Sequence, residues 1–130
     1  VQIESRVLGD LALNHIVPTA VSYQNRLLEN LRGLKEIFSP EEYEVMSADR
    51  KDLVRDISRR VTAIKMQVAE MTEARRVANH KDNFKEKAYA YEETVRPYLE
   101  SIREHIDHLE MEIDDEMWPL PKYRELMFTK

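Results

Sequence analysis

The sequence predicts an all-α protein: an up-down-up bundle of three long helices, about 2–38, 40–78 and 83–117, with a short C-terminal helix or turn at 122–128. Three observations carry this. From Phe84 to Met117 the large apolar positions are Phe84, Ala88, Tyr91, Val95, Tyr98, Ile102, Ile106, Leu109, Ile113 and Met117, and every step between them is three or four residues. Such a stripe belongs to an amphipathic helix about 50 Å long, which needs partner helices to cover it. The chain has only two glycines among abundant Glu, Lys, Arg, Leu and Ala, a balance that favours long helices over turn-rich sheet. Finally, Ser39-Pro40-Glu41-Glu42 reads as a helix start, with Ser39 as N-cap, Pro40 in the first helical position and Glu42 closing a capping box.

The first helix carries Val7, Leu8, Leu11, Val17, Val21, Leu27, Leu28, Leu31, Leu34 and Phe38. Pro18 interrupts it. Its ring clashes with the carbonyl of Asn14 and it lacks an N–H, so a kink is expected there rather than a break. The short Ser39 turn makes the second helix an antiparallel neighbour. Its stripe is Tyr43, Met46, Leu53, Ile57, Val61, Ile64, Val68, Met71 and Ala78, read as continuous through the polar stretch 47–50. Asn79 as a left-handed C-cap and Asp82 as an N-cap would make the next turn. Pro97 kinks the third helix in phase, and Trp118-Pro119-Leu120-Pro121 ends it. Aligned by length, Pro18 and Pro97 fall at one height, facing Arg59 and Arg60, where an arginine, a serine or water would satisfy the freed carbonyls.

Composition narrows the function. With 130 residues, one domain is expected. Net charge is −5 with both signs interspersed, which argues against a nucleic-acid partner. No apolar run approaches a membrane span and no signal peptide opens the chain. The absence of cysteine removes disulfides and thiolate chemistry and fits a cytoplasmic protein. The chain opens on Val1 already in helical pattern, which suggests a segment of a longer protein.

No active-site constellation emerges. Glu104, His108 and Glu112 share a helix face beside His105, but no Glu-x-x-His repeat accompanies them, so a polar surface is the better reading than a metal site. The acidic run Glu110, Glu112, Asp114, Asp115, Glu116 lacks the glycine turn of a calcium loop. It sits at a helix C-terminus, where negative charge is unfavourable, and so hints at a basic partner surface. His15 reads as a buried, hydrogen-bonded histidine rather than a ligand or base. Arg59–Arg60 and Arg75–Arg76 read as ion-pairing surface residues.

Three segments are distinctive: Leu8-Gly9-Asp10-Leu11-Ala12-Leu13-Asn14-His15-Ile16-Val17-Pro18-Thr19-Ala20-Val21-Ser22-Tyr23-Gln24-Asn25, then Glu29-Asn30-Leu31-Arg32-Gly33-Leu34-Lys35, and at the end Asp114-Asp115-Glu116-Met117-Trp118-Pro119-Leu120-Pro121-Lys122-Tyr123-Arg124-Glu125-Leu126-Met127-Phe128. Through them the chain resembles the C-terminal helical region of type III glutamine synthetases, over essentially its whole length. The resemblance implies a parent enzyme that joins ammonia to glutamate with ATP and Mg or Mn, and that assembles as double hexameric rings. It implies catalytic domains upstream of this chain and no catalytic, cofactor or metal residue within it. The partners implied are the chain's own catalytic domain and neighbouring subunits. Trp118, Tyr123 and Phe128, read as an exposed aromatic tail, are the candidate contact surface; Asn14, His15, Pro18 and Gln24 form a second candidate, the kink layer. A free-standing helical adaptor is the alternative.

Overall fold

A computed structural model of the chain describes residues 2–114 and 116–118. The expected helix or turn at 122–128 lies outside them, as do Tyr123 and Phe128. Every regular element among the described residues is helical: α1 (Gln2–Leu11), α2 (Val17–Ile37), α3 (Pro40–Asn79), α4 (Phe84–Ala90) and α5 (Arg96–Glu112), with one π turn at Ala12–Ile16 and another at Tyr91–Val95. None of these helices is long and apolar enough to cross a membrane.

The two π turns are the local answer to the two prolines. Each ends just ahead of its proline, and the preceding N–H reaches five residues back: Val17 to the Ala12 carbonyl and Arg96 to the Tyr91 carbonyl. The wider turn accommodates a ring that would otherwise collide with the carbonyl four residues earlier. Both rods therefore run on past their prolines without a break. Thr94 Oγ1 adds a bond to the Ala90 carbonyl at 2.6 Å within the second π turn. The nearby arginines are occupied elsewhere, Arg59 and Arg60 on Asp56 and Arg60 also on His105.

The Ser39 boundary forms as the residues demand. Ser39 is extended, its Oγ accepts the Glu42 N–H at 3.2 Å, and Glu42 Oε1 accepts the Ser39 N–H at 3.3 Å. From there α3 runs without interruption through 47–50 to Asn79. The next turn differs from expectation. His80 caps α3 in right-handed geometry, and the N-cap of α4 is Asn83, whose Oδ1 accepts the Glu86 N–H at 2.8 Å, rather than Asp82. Asn79 instead accepts the Tyr91 hydroxyl at 2.8 Å, which ties the end of α3 to the second π turn.

α3 is the element the others pack on: α2, α5 and both π turns lie against it. Along α3 the register is antiparallel on both sides. Gly9 meets Val68 and Met71, while Gln24 reaches Val54 and Ser58. On the other side Tyr91 reaches Asn79 and His105 reaches Arg60. Pro18 thus stands near Val61, whereas Pro97 stands near the Val68–Met71 level, on the order of 10 Å further along α3. The single shared proline layer expected from helix lengths is not formed, because the third rod is displaced toward the end of α3, with Tyr91 opposite Asn79, while Pro18 keeps the level expected of it.

The core follows the expected stripes closely in α3 and less closely at the ends. Ile57, Val61, Ile64, Val68, Met71 and Ala78 are buried against Tyr91, Val95, Leu99, Ile102, Ile106, Leu109 and Ile113. Full burial of each large side chain here stabilises by about 1.5–3 kcal/mol. Three departures stand out. On the first rod small residues Ser5, Gly9, Ala12 and Ala20 face inward, while Val7, Val21 and Leu28 face solvent. Near the start of α3, Ser47 is buried instead of Met46. At the start of the third rod Phe84 is 87% exposed and Ala90 takes the inward position.

The third rod also ends earlier than Met117. Ile113 turns extended, and the Asp114 carbonyl accepts the N–H groups of Met117 and Trp118 at 3.0 and 3.2 Å. Asp114 Oδ1 takes the Glu116 N–H at 3.0 Å. This Asp-capped turn ends the helix before the Trp118-Pro119 pair is reached, and returns Trp118 to the core.

Candidate functional site

The residues singled out in the sequence do not assemble into one site. Trp118 is 7% exposed and packs with the core, so it is not part of an exposed aromatic tail. Its indole N–H is buried without a hydrogen-bond partner among the described residues. The proline layer separates likewise. Asn14 bonds locally to Asp10 Oδ1 at 2.6 Å, and Pro18 faces outward. His15 is exposed, against the expectation of a buried histidine, and the neighbouring Ala12 and Ile16 take the inward positions of the π turn. Gln24 alone crosses between helices, donating to the Val54 carbonyl at 3.1 Å and to Ser58.

The structure instead gathers a polar cluster between α3 and α5 that sequence reasoning passed over. Asp56 accepts Arg60 Nε at 3.0 Å and is also held by Arg59. Arg60 continues to His105 Nδ1 at 3.1 Å, so that nitrogen accepts and the ring proton sits on Nε2. Glu112 approaches Asp56 from α5. Asp56 is held well below the usual carboxylate range, first by a hydrogen bond from Glu112 and then by the two arginines, with burial opposing. Burial, then the Asp56 carboxylate, push Glu112 up to about 7. The pair therefore shares one proton, with Asp56 ionised and Glu112 the donor. Burial, with Arg60 adding, lowers the pKa of His105.

The signal for this cluster was present in the spacing. Asp56 lies four residues before Arg60 and next to core residue Ile57, while His105 and Glu112 flank Ile106 and Ile113. Only the register of α5 on α3 brings the two halves together.

The cluster has the composition of a structural ion-pair network. It contains no nucleophile beside a base and no glycine-rich phosphate cradle. Among the described residues no three His, Asp or Glu side chains converge to hold a metal. Glu104 and His108 point to solvent while Glu112 turns toward Asp56, so that trio does not share a centre. Arg75 donates to Ser5 Oγ at 3.1 Å and Arg76 to Glu73 at 2.6 Å. Together these features define an all-helical chain whose helices are joined by polar contacts such as Arg60–His105 and Arg75–Ser5.

Comparison with known proteins shows what this chain is similar to. Residues 1–35 match the family model described as the glutamine synthetase C-terminal domain. The whole chain is 83% identical to part of the glutamine synthetase of Bacteroides fragilis (strain YCH46), and 22% identical over 140 aligned residues to part of the type-3 glutamine synthetase of Dictyostelium discoideum. In each case the chain spans 18% of the relative's length. The resemblance read from the three distinctive segments is thus shown: this chain is similar, end to end, to the C-terminal portion of glutamine synthetases.

Proposed function

We propose that this chain is the C-terminal helical domain of a type III glutamine synthetase, a single domain without catalytic residues of its own, built as an up-down-up bundle. The observation that carries the reading is the 83% identity maintained over all 130 residues to a glutamine synthetase of which the chain spans 18%. Identity at that level extends the relative's identity to the parent of this chain. The parent then ligates ammonia to glutamate at the expense of ATP, with Mg or Mn bound in upstream catalytic domains, in the cytoplasm. The type III assignment is supported by the Dictyostelium match and by the resemblance over Leu8–Asn25 and Asp114–Phe128.

The role of the domain is structural, in assembly or regulation, through contacts with its own catalytic domain and with neighbouring subunits of a double hexameric ring. Neither nucleic acid nor membrane is a partner. The antiparallel register on both sides of α3 supports the bundle arrangement. The polar cluster, internally paired and lacking a nucleophile, supports a packing role over a catalytic one.

The test compares the full-length polypeptide with a version ending before Val1. Full-length protein should form glutamine from glutamate, ammonia and Mg-ATP, and residues 1–130 alone should not. The shortened version should lose ring assembly or thermal stability. Glutamine formation by residues 1–130 alone, or normal assembly and stability of the shortened version, would overturn the reading.

A further inference from the structure

Among the described residues, exposed apolar side chains gather beside a groove at one end of the molecule. At the end where α3 gives way to α4, a groove of about 650 Å³ opens between the last turn of α3 and the outer face of α4. Val77, Ala78, Tyr89 and Ala90 form its floor and walls, and Lys81 and Lys85 stand on its rim. Glu86 and Glu93 also line it, so the rim carries both signs. Tyr89 is 69% exposed and Val77 46% exposed. An aromatic side chain left in solvent beside a concave apolar surface is the composition of an interface core, where Tyr is enriched.

The same end receives the start of the chain. Ser5 is bonded to Arg75, so α1 begins beside the last turns of α3, with Ile3 and Val7 exposed there. More than four-fifths of the length of the relatives lies outside this chain, whose opening residues match a C-terminal domain model. A polypeptide entering at α1 arrives within reach of the groove, and the short tether makes its effective concentration high. The opposite end has exposed apolar residues as well, Ile37, Val45 and Met111, but the hollow there is lined by Lys35, Glu44 and Lys51, and Lys51 already sits over the Tyr43 ring.

We infer that the Val77–Tyr89 groove is the docking surface for the upstream domain of the same polypeptide, which inserts an apolar side chain between α3 and α4. This rests on the proposed parentage and names the face of the domain that the parent covers.

Single cysteines introduced by Val77→Cys and Tyr89→Cys in the full-length protein test it, through the ratio of maleimide labelling rates in native and unfolded protein. Met66→Cys, on the exposed middle of α3, serves as reference. All three positions are exposed in this chain, so the substitutions leave its core intact. The docked groove predicts labelling slowed at least about tenfold at positions 77 and 89 relative to position 66. It also predicts that this protection survives dilution to separated subunits. Free labelling at 77 and 89 overturns the inference alone, and protection lost on subunit separation overturns it in favour of a contact between subunits. A native polypeptide no longer than this chain, read from its mass, overturns the parentage and the inference together.

Discussion

Glu112 and Asp56 illustrate how one proton links stability to pH. The folded state raises Glu112 from an ordinary 4.5 to about 7. Its stabilising contribution is complete below the ordinary value and is lost as pH rises through the folded one. Asp56 is shifted the other way, so its contribution is present above the ordinary carboxylate value and is lost as pH falls. Melting temperature should therefore fall between about pH 5 and about pH 8, and Glu112→Gln, which keeps a donor toward Asp56 but cannot ionise, should flatten that slope. A thermal melt series over that range checks it, and an unchanged slope in the variant would assign the dependence elsewhere. Trp118 makes a second case. Because it is buried, Trp118→Ala should destabilise the chain itself by about 3–5 kcal/mol in urea unfolding. Trp118→Phe should cost less, since it keeps most of the apolar volume and removes an indole N–H that has no partner among the described residues.

Among the helices, the two rods with prolines differ from α3 in how their stripes are built. α3 holds one phase over forty residues and its inward positions are large. The first rod instead turns Ser5, Gly9 and Ala12 toward α3, so the two backbones approach closely; a Cβ on Gly9 would meet Val68 at 3.4 Å. Gly33 has nothing within 4 Å of an added Cβ and its helix needs no special φ. Gly33→Ala should accordingly stabilise by about 0.5–1 kcal/mol, seen as a higher denaturant midpoint with an unchanged slope. Ser39→Ala should act in the opposite direction by about 1 kcal/mol, because it removes the acceptor for the Glu42 N–H.

For the molecule as a whole, the absence of an assembled catalytic constellation among the described residues turns attention to contacts outside the chain. If its role is packing within the parent enzyme, thermal unfolding of residues 1–130 should be unmoved by Mg-ATP, glutamate or glutamine. A ligand held at about a hundred times its dissociation constant would add about 2.7 kcal/mol, an effect easily seen. A saturable shift with any of the three would replace the packing role by a regulatory one.

The helical class, the antiparallel start of α3 and most of the α3 and α5 stripes were legible from residue spacing, because periodicity at 3.6 residues and an N-cap are local properties that precede any tertiary contact. The family was legible from particular segments, such as Asn14-His15-Ile16-Val17-Pro18-Thr19-Ala20, rather than from composition. What remained hidden depended on register. Hydrophobicity alone favoured Val7, Val21, Met46 and Phe84 as core residues, but close helix approach selected Ser5, Ala20, Ser47 and Ala90. The register of the third rod took Pro97 away from the level of Pro18, and the Asp114 turn folded Trp118 inward. The Asp56–Arg60–His105–Glu112 cluster exists only because α5 docks with His105 opposite Arg60. Local chemistry thus determined which helices form and where α3 begins, while the sliding of one helix along another, which no single segment encodes, decided which side chains meet.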